Sequence, residues 1–119
     1  MVIVVAALVE VLTGLVLITF PGVFVRLVYG ADATGVVITL GRMTGFGLLA
    51  LGIACWPERG ARVSSPAVRG LLTYNVLLTA LFTYLAISRV AGGLFFWPAL
   101  ALHVVLAILL VRLWLRIRV

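Results

Sequence analysis

The sequence predicts an all-α fold, a four-transmembrane-helix bundle with a short interfacial or re-entrant segment after helix 1. Of the 119 residues, 66% are hydrophobic and only 10% are charged, whereas soluble domains are usually about half apolar. Four apolar segments are each about 20 residues long, the length that crosses a bilayer. A water-soluble fold is therefore excluded, and residues 1–119 are expected to form a single integral membrane domain.

The first predicted span covers residues 2–20 and ends at Pro21-Gly22, where Pro removes a backbone donor. It lacks the basic start of a secretory signal and is expected to remain in the protein. The apolar stretch 23–30, with Arg26 and Tyr29, is too short to cross a membrane. It fits an interfacial or re-entrant half-helix, or an apolar loop packed on the bundle.

The remaining spans are predicted at residues 36–56, 67–88 and 95–115. The loop 57–66 is the clearly polar stretch of the chain. The connector 89–93 is short, so the third and fourth spans should be antiparallel neighbours. Aromatic residues typical of membrane interfaces fall near the predicted ends: Tyr29, Trp56, Trp97 and Trp114.

All nine basic residues are Arg, and the net charge is +6. We interpret the Arg residues as topology anchors at span ends, and we expect no nucleic-acid binding. Most of them fall on one side: Arg59, Arg62, Arg69, Arg112, Arg116 and Arg118. Arg26 and Arg89 fall on the other side, so both termini are expected in the cytoplasm. An Arg-only basic complement also fits a bacterial genome of high GC content, and hence a bacterial inner membrane.

Each span carries one polar residue deep inside an apolar segment: Glu10, Arg42, Asn75 and His103. At about 1.5 Å per residue, they lie roughly 9 to 18 Å from the non-cytoplasmic face, which is one layer within error. Charges are costly there, so Glu10 and Arg42 are expected to pair. The layer is interpreted either as a clasp that fixes helix register or as a pocket for a ligand, ion or proton. Tyr74 could line that pocket or simply pack.

Small residues accompany this layer. Gly41, Gly45 and Gly52 form a stripe on the second span, and Gly14 shares the Glu10 face of the first. Because small residues let helices approach closely in a membrane, these glycines predict helix packing contacts.

The sequence contains no nucleophile with a base, no phosphate-binding loop and no metal-ligand set. His103 alone cannot supply bis-His haem ligation, and Cys55 is the single cysteine, so no cofactor or metal is expected. We therefore interpret the chain as a non-catalytic membrane subunit or binding module. Its expected partners are the lipid bilayer, copies of itself, a larger membrane complex, or a lipid-like or small ligand. A small proton-coupled transporter or channel working as an oligomer is the alternative. An enzyme using Glu10 and His103 as acid and base ranks third.

Two resemblances accompany this interpretation. The stretches FPGVFVRLVYG (20–30), GRMTGFGLLALGIACW (41–56), YN (74–75) and WPALALH (97–103) resemble uncharacterised bacterial four-span DoxX-like small membrane proteins. This resemblance implies a four-helix bundle and no particular activity. A single Glu in the first of four spans, here Glu10, is also similar to the small multidrug resistance exporters, which exchange protons for cationic drugs. Arg42 departs from that exporter pattern, because it would neutralise the carboxylate.

Overall fold

Pro21 ends the first helix and begins the second, because proline cannot donate within a helix but fits its first turn. The computed structural model describes residues 1–58, 65–90 and 92–118. In these ranges it contains five helices: α1 (Val2–Thr19), α2 (Pro21–Tyr29), α3 (Val36–Ala54), α4 (Ser65–Ile87) and α5 (Phe96–Arg118). The described ranges contain no strand, so the predicted all-α class is confirmed.

Four of these helices, α1, α3, α4 and α5, are long and apolar enough to cross a membrane. Their outer surfaces expose large apolar side chains such as Leu12, Met43, Leu77 and Ile108. An apolar exterior of this extent is typical of a surface that faces lipid. The chain therefore has the character of a multi-pass membrane protein, as the composition predicts.

The bundle is built from two helix pairs, because α1 packs mainly on α3 and α4 mainly on α5. Glycines set the distance between α1 and α3. A Cβ atom on Gly14 would lie 2.8 Å from the Gly45 carbonyl oxygen, and one on Gly52 would lie 2.7 Å from the Ala7 oxygen. The two backbones are thus in direct contact at both points. Gly41 instead faces Pro21, at the start of α2.

Two apolar clusters pack the helices together. One contains Ile3, Leu71 and Leu110, from α1, α4 and α5. The other contains Val28, Phe82 and Phe96 and lies under α2. Along α4 and α5, the buried polar residues described below lie between these two clusters.

The stretch predicted as an interfacial or re-entrant half-helix forms α2. This helix ends at Gly30, whose φ of +73° is the left-handed conformation that glycine adopts without steric cost. Its C-terminal half is held by the turn before α5, where the Phe95 amide donates to the Leu27 oxygen at 2.8 Å and the Gly92 amide to the Tyr29 oxygen at 3.3 Å. A Cβ atom on Gly93 would lie 2.6 Å from the Val28 carbonyl carbon. Backbone contacts therefore fix α2 across one end of the bundle.

Candidate functional site

Three of the four polar residues predicted to form a layer are brought together in the bundle interior. Glu10 and Asn75 are fully buried, and His103 is 8% exposed. The Asn75 Nδ2 atom lies 3.5 Å from Glu10 Oε1, and the Asn75 Oδ1 atom lies 2.8 Å from His103 Nδ1. The result is a chain of polar contacts that connects α1, α4 and α5 through Asn75.

The contacts of Asn75 determine which imidazole nitrogen carries the proton. Asn75 Nδ2 lies 2.9 Å from the Leu71 carbonyl oxygen, which can only accept, so that atom is the amide nitrogen. The other atom, Oδ1, is then an acceptor, and His103 Nδ1 must donate to it. In the neutral ring Nε2 is consequently an acceptor, and it makes no hydrogen bond with any described residue.

Arg42 does not belong to this layer, and the predicted Glu10–Arg42 pair is wrong. The Arg42 side chain is exposed on the outside of α3, and within the described ranges the one ion pair joins Arg26 to Asp32 at 2.5 Å. The cause is helix rotation. The buried side of α3 contains Gly45, Leu48 and Gly52. Gly41 lies in line with them, and Arg42 is about 100° further around the helix.

Because Arg42 does not pair with it, Glu10 has no nearby counter-charge in the described part of the chain. Its Oε1 atom has the long contact with Asn75, and its buried Oε2 atom has no hydrogen-bond partner there. Buried polar atoms are usually paired. Glu10 is therefore the least satisfied polar group of the layer.

A cavity of about 140 Å³ adjoins the layer and is lined by residues from all five helices. Its walls are mainly apolar and include Leu17, Leu48 and Phe82. Its polar lining consists of Thr13, Tyr29, Thr44, Tyr74 and His103. An apolar cavity with a few convergent polar groups is the usual form of a small-molecule site.

Several of these polar groups have unused hydrogen-bonding capacity. The hydroxyl groups of Tyr29 and Tyr74, like His103 Nε2, make no hydrogen bond with another described residue. Burial raises the pKa of the Tyr29 hydroxyl further above neutral, and the protonated hydroxyl can donate a hydrogen bond. Aromatic rings surround His103, with ring-centre distances of 6.2 Å to Tyr74 and 5.9 Å to Phe82. The cavity thus offers both aromatic contact and hydrogen bonds.

Tyr74 was expected either to line the pocket or simply to pack, whereas Tyr29, Thr13 and Phe82 were not assigned to the pocket. Tyr29 was interpreted as an interfacial aromatic, because nothing in a nine-residue segment indicates that it folds back over the bundle. The signal for Thr13 is its position three residues after Glu10, which places both on one side of α1.

The described residues contain no group of three or more His, Cys, Asp or Glu side chains that could hold a metal ion. Asn75 separates Glu10 from His103, so these two groups form no direct acid-base pair. No protein-family model matches this chain, and no curated protein or solved structure matches it either.

Proposed function

We propose that this protein is a non-catalytic, membrane-embedded binding module for a small, largely apolar molecule that carries a hydroxyl group. The observation that supports it is the cavity of about 140 Å³ beside His103. An engineered protein cavity of about 150 Å³ holds a benzene molecule. The matching size suggests a ligand portion of about one six-membered ring.

The polar lining supports the choice of a hydroxyl group. His103 Nδ1 donates to Asn75, so Nε2 is left as an acceptor that a ligand hydroxyl can satisfy. The hydroxyl groups of Tyr74 and Tyr29 can then donate to the ligand oxygen. A site that offers one acceptor and two hydroxyl groups discriminates against a plain hydrocarbon, which would leave these groups unpaired.

Phenol is a suitable probe, and its binding can be measured by equilibrium dialysis of radiolabelled phenol against lipid nanodiscs with and without the protein. We expect saturable binding above that of empty nanodiscs. Tyr74→Phe should weaken it about tenfold, because the variant loses one hydrogen bond to the ligand and a loss of about 1.4 kcal/mol lowers the affinity tenfold. Tyr84→Phe is the matched control, because Tyr84 lies on the same helix and is 65% exposed. Equal uptake by loaded and empty nanodiscs would refute the proposal.

A small proton-coupled transporter working as an oligomer is the second candidate, and the unpaired Glu10 favours it. Without Arg42 beside it, this carboxyl group has no counter-charge, and it is the group that would carry the proton of a coupled exchange. The discriminating experiment uses proteoliposomes that contain a pH-sensitive dye. A phenol-driven proton flux that Glu10→Gln abolishes would support the transporter. Saturable phenol binding without such a flux supports the binding module.

We further propose a bacterial inner membrane as its location, with both termini in the cytoplasm, from the Arg distribution and the positive-inside rule. The proposed partners are the surrounding lipid and either further copies of the chain or a larger membrane complex. The short helix α2, with exposed Arg26 and Asp32 at its end, is proposed to lie at the opposite, non-cytoplasmic interface.

A further inference from the structure

An apolar groove of about 420 Å³ runs along the outside of the bundle beneath α2. It lies between the end of α1, one side of α2 and the start of α5, and it includes Val16, Val23, Leu27, Phe95 and Pro98. Every residue that lines it is apolar. Its volume is within the range of about 300–1,000 Å³ that is usual for ligand pockets.

The groove and the interior cavity share four lining residues: Phe24, Val28, Ala99 and Leu102. Two come from α2 and two from α5, so the boundary between the two spaces is only one layer of side chains. Leu102 is 40% exposed and lines both spaces, and the next residue is His103. This layer of side chains therefore separates the polar end of the cavity from the outer, apolar surface.

The groove lies on the side of this boundary where the protein faces lipid. The backbone contacts described for α2 hold its C-terminal half against the turn before α5. Phe24 and Leu102 are instead held by side-chain packing, and side chains change rotamer much faster than helices move. A ligand dissolved in the bilayer can therefore enter sideways, between α2 and α5, without crossing the aqueous loops.

We infer that the cavity and the groove form one site for a membrane-dissolved amphiphile, whose ring-sized hydroxylated head lies against His103 and whose apolar tail leaves between α2 and α5. This inference rests on the proposed function, because it assumes that the cavity holds the head. It adds the tail, its position and the route from the bilayer. The alternative occupant of the groove is an acyl chain of an ordinary lipid, which would place no head group in the cavity.

Three probes separate these occupants: 4-ethylphenol, 4-nonylphenol and nonylbenzene, each competing with radiolabelled phenol on protein in nanodiscs. Membrane concentrations are corrected with empty nanodiscs, so that partitioning alone produces no difference. We expect 4-nonylphenol to displace phenol at an at least tenfold lower membrane concentration than 4-ethylphenol. Nonylbenzene, which lacks the hydroxyl group, should not displace it. The comparison needs no variant.

The variant Val16→Trp fills the groove from α1 and should remove the advantage of the long tail. It should leave 4-ethylphenol binding intact, because Val16 lines the groove and not the cavity. Val5→Trp is its matched control, because Val5 is 45% exposed on the same helix and lines neither space. Circular dichroism checks that both variants fold.

Three outcomes would overturn the inference. Equal displacement by the two phenols would mean that the cavity binds the head but that the groove does not bind the tail. Effective displacement by nonylbenzene would mean that any apolar chain, including that of an ordinary lipid, occupies the groove. The absence of saturable phenol binding would refute the proposed function and, with it, this inference.

Discussion

Replacing Gly45 with alanine tests the contact between α1 and α3. The added Cβ atom would lie 2.7 Å from the Gly14 carbonyl oxygen and 2.9 Å from Ile18 Cγ1, whereas carbon–oxygen contacts are normally about 3.3–3.6 Å. The helices must separate by roughly 0.6 Å or more to relieve this contact. Overpacking of this kind typically costs about 1–3 kcal/mol.

Gly47→Ala is the matched control on the same helix, because no atom lies within 4 Å of the added Cβ. Both substitutions gain the same helix propensity, about 0.5–1 kcal/mol, so their difference isolates the packing term. The measurement is the free energy of unfolding in detergent, followed by circular dichroism as SDS is added. We expect Gly45→Ala to be less stable than Gly47→Ala by about 1–3 kcal/mol. Equal stability would mean that the two helices are not in backbone contact.

Three further predictions follow from the polar layer and the loops. In a double-mutant cycle by thermal unfolding, Glu10→Gln and Arg42→Leu should be additive within about 0.5 kcal/mol, because Glu10 is buried in the bundle interior and Arg42 is exposed on its outside. A larger coupling energy would show that the two side chains interact. Asn75→Leu should lower the free energy of unfolding by about 1 kcal/mol, because its contacts with Glu10 and His103 are lost and such hydrogen bonds in membranes average about 0.6 kcal/mol. An unchanged free energy of unfolding would show that these contacts do not stabilise the fold. In a Cys55→Ala background, cysteines at Asp32 and Glu58 should be labelled from opposite sides of the membrane, and labelling from the same side would contradict the span order.

The four long helices could be predicted because the bilayer imposes a minimum apolar length, and because Pro21 and Gly22 interrupt the first apolar run. Close contact along α1 and α3 was also a reasonable expectation. Gly14, Gly45 and Gly52 have no side chain that would keep the backbones apart. These features depend on residue type and spacing, both of which are visible in the sequence.

The rotation of each helix and the path of α2 could not be predicted in the same way. Depth along a span is counted directly, but Arg42 lies only about 100° around the helix from Gly41, which is enough to turn it outward. The cavity depends on how α2 folds back, and its holding contacts are backbone hydrogen bonds from the turn before α5. Since any residue except proline can donate such bonds, they have no signature in the sequence.

Those backbone contacts of α2 also have an evolutionary consequence. The carbonyl groups of Leu27 and Tyr29, together with the approach to Gly93, hold the helix in place, while the exposed side chains of Val23 and Leu27 form part of the groove wall. Under the proposed function, attachment and selectivity therefore depend on different atoms of this short helix. Substitutions at these two wall positions would then alter which molecule is accepted while the helix stays in position, so a new ligand would not require a new fold.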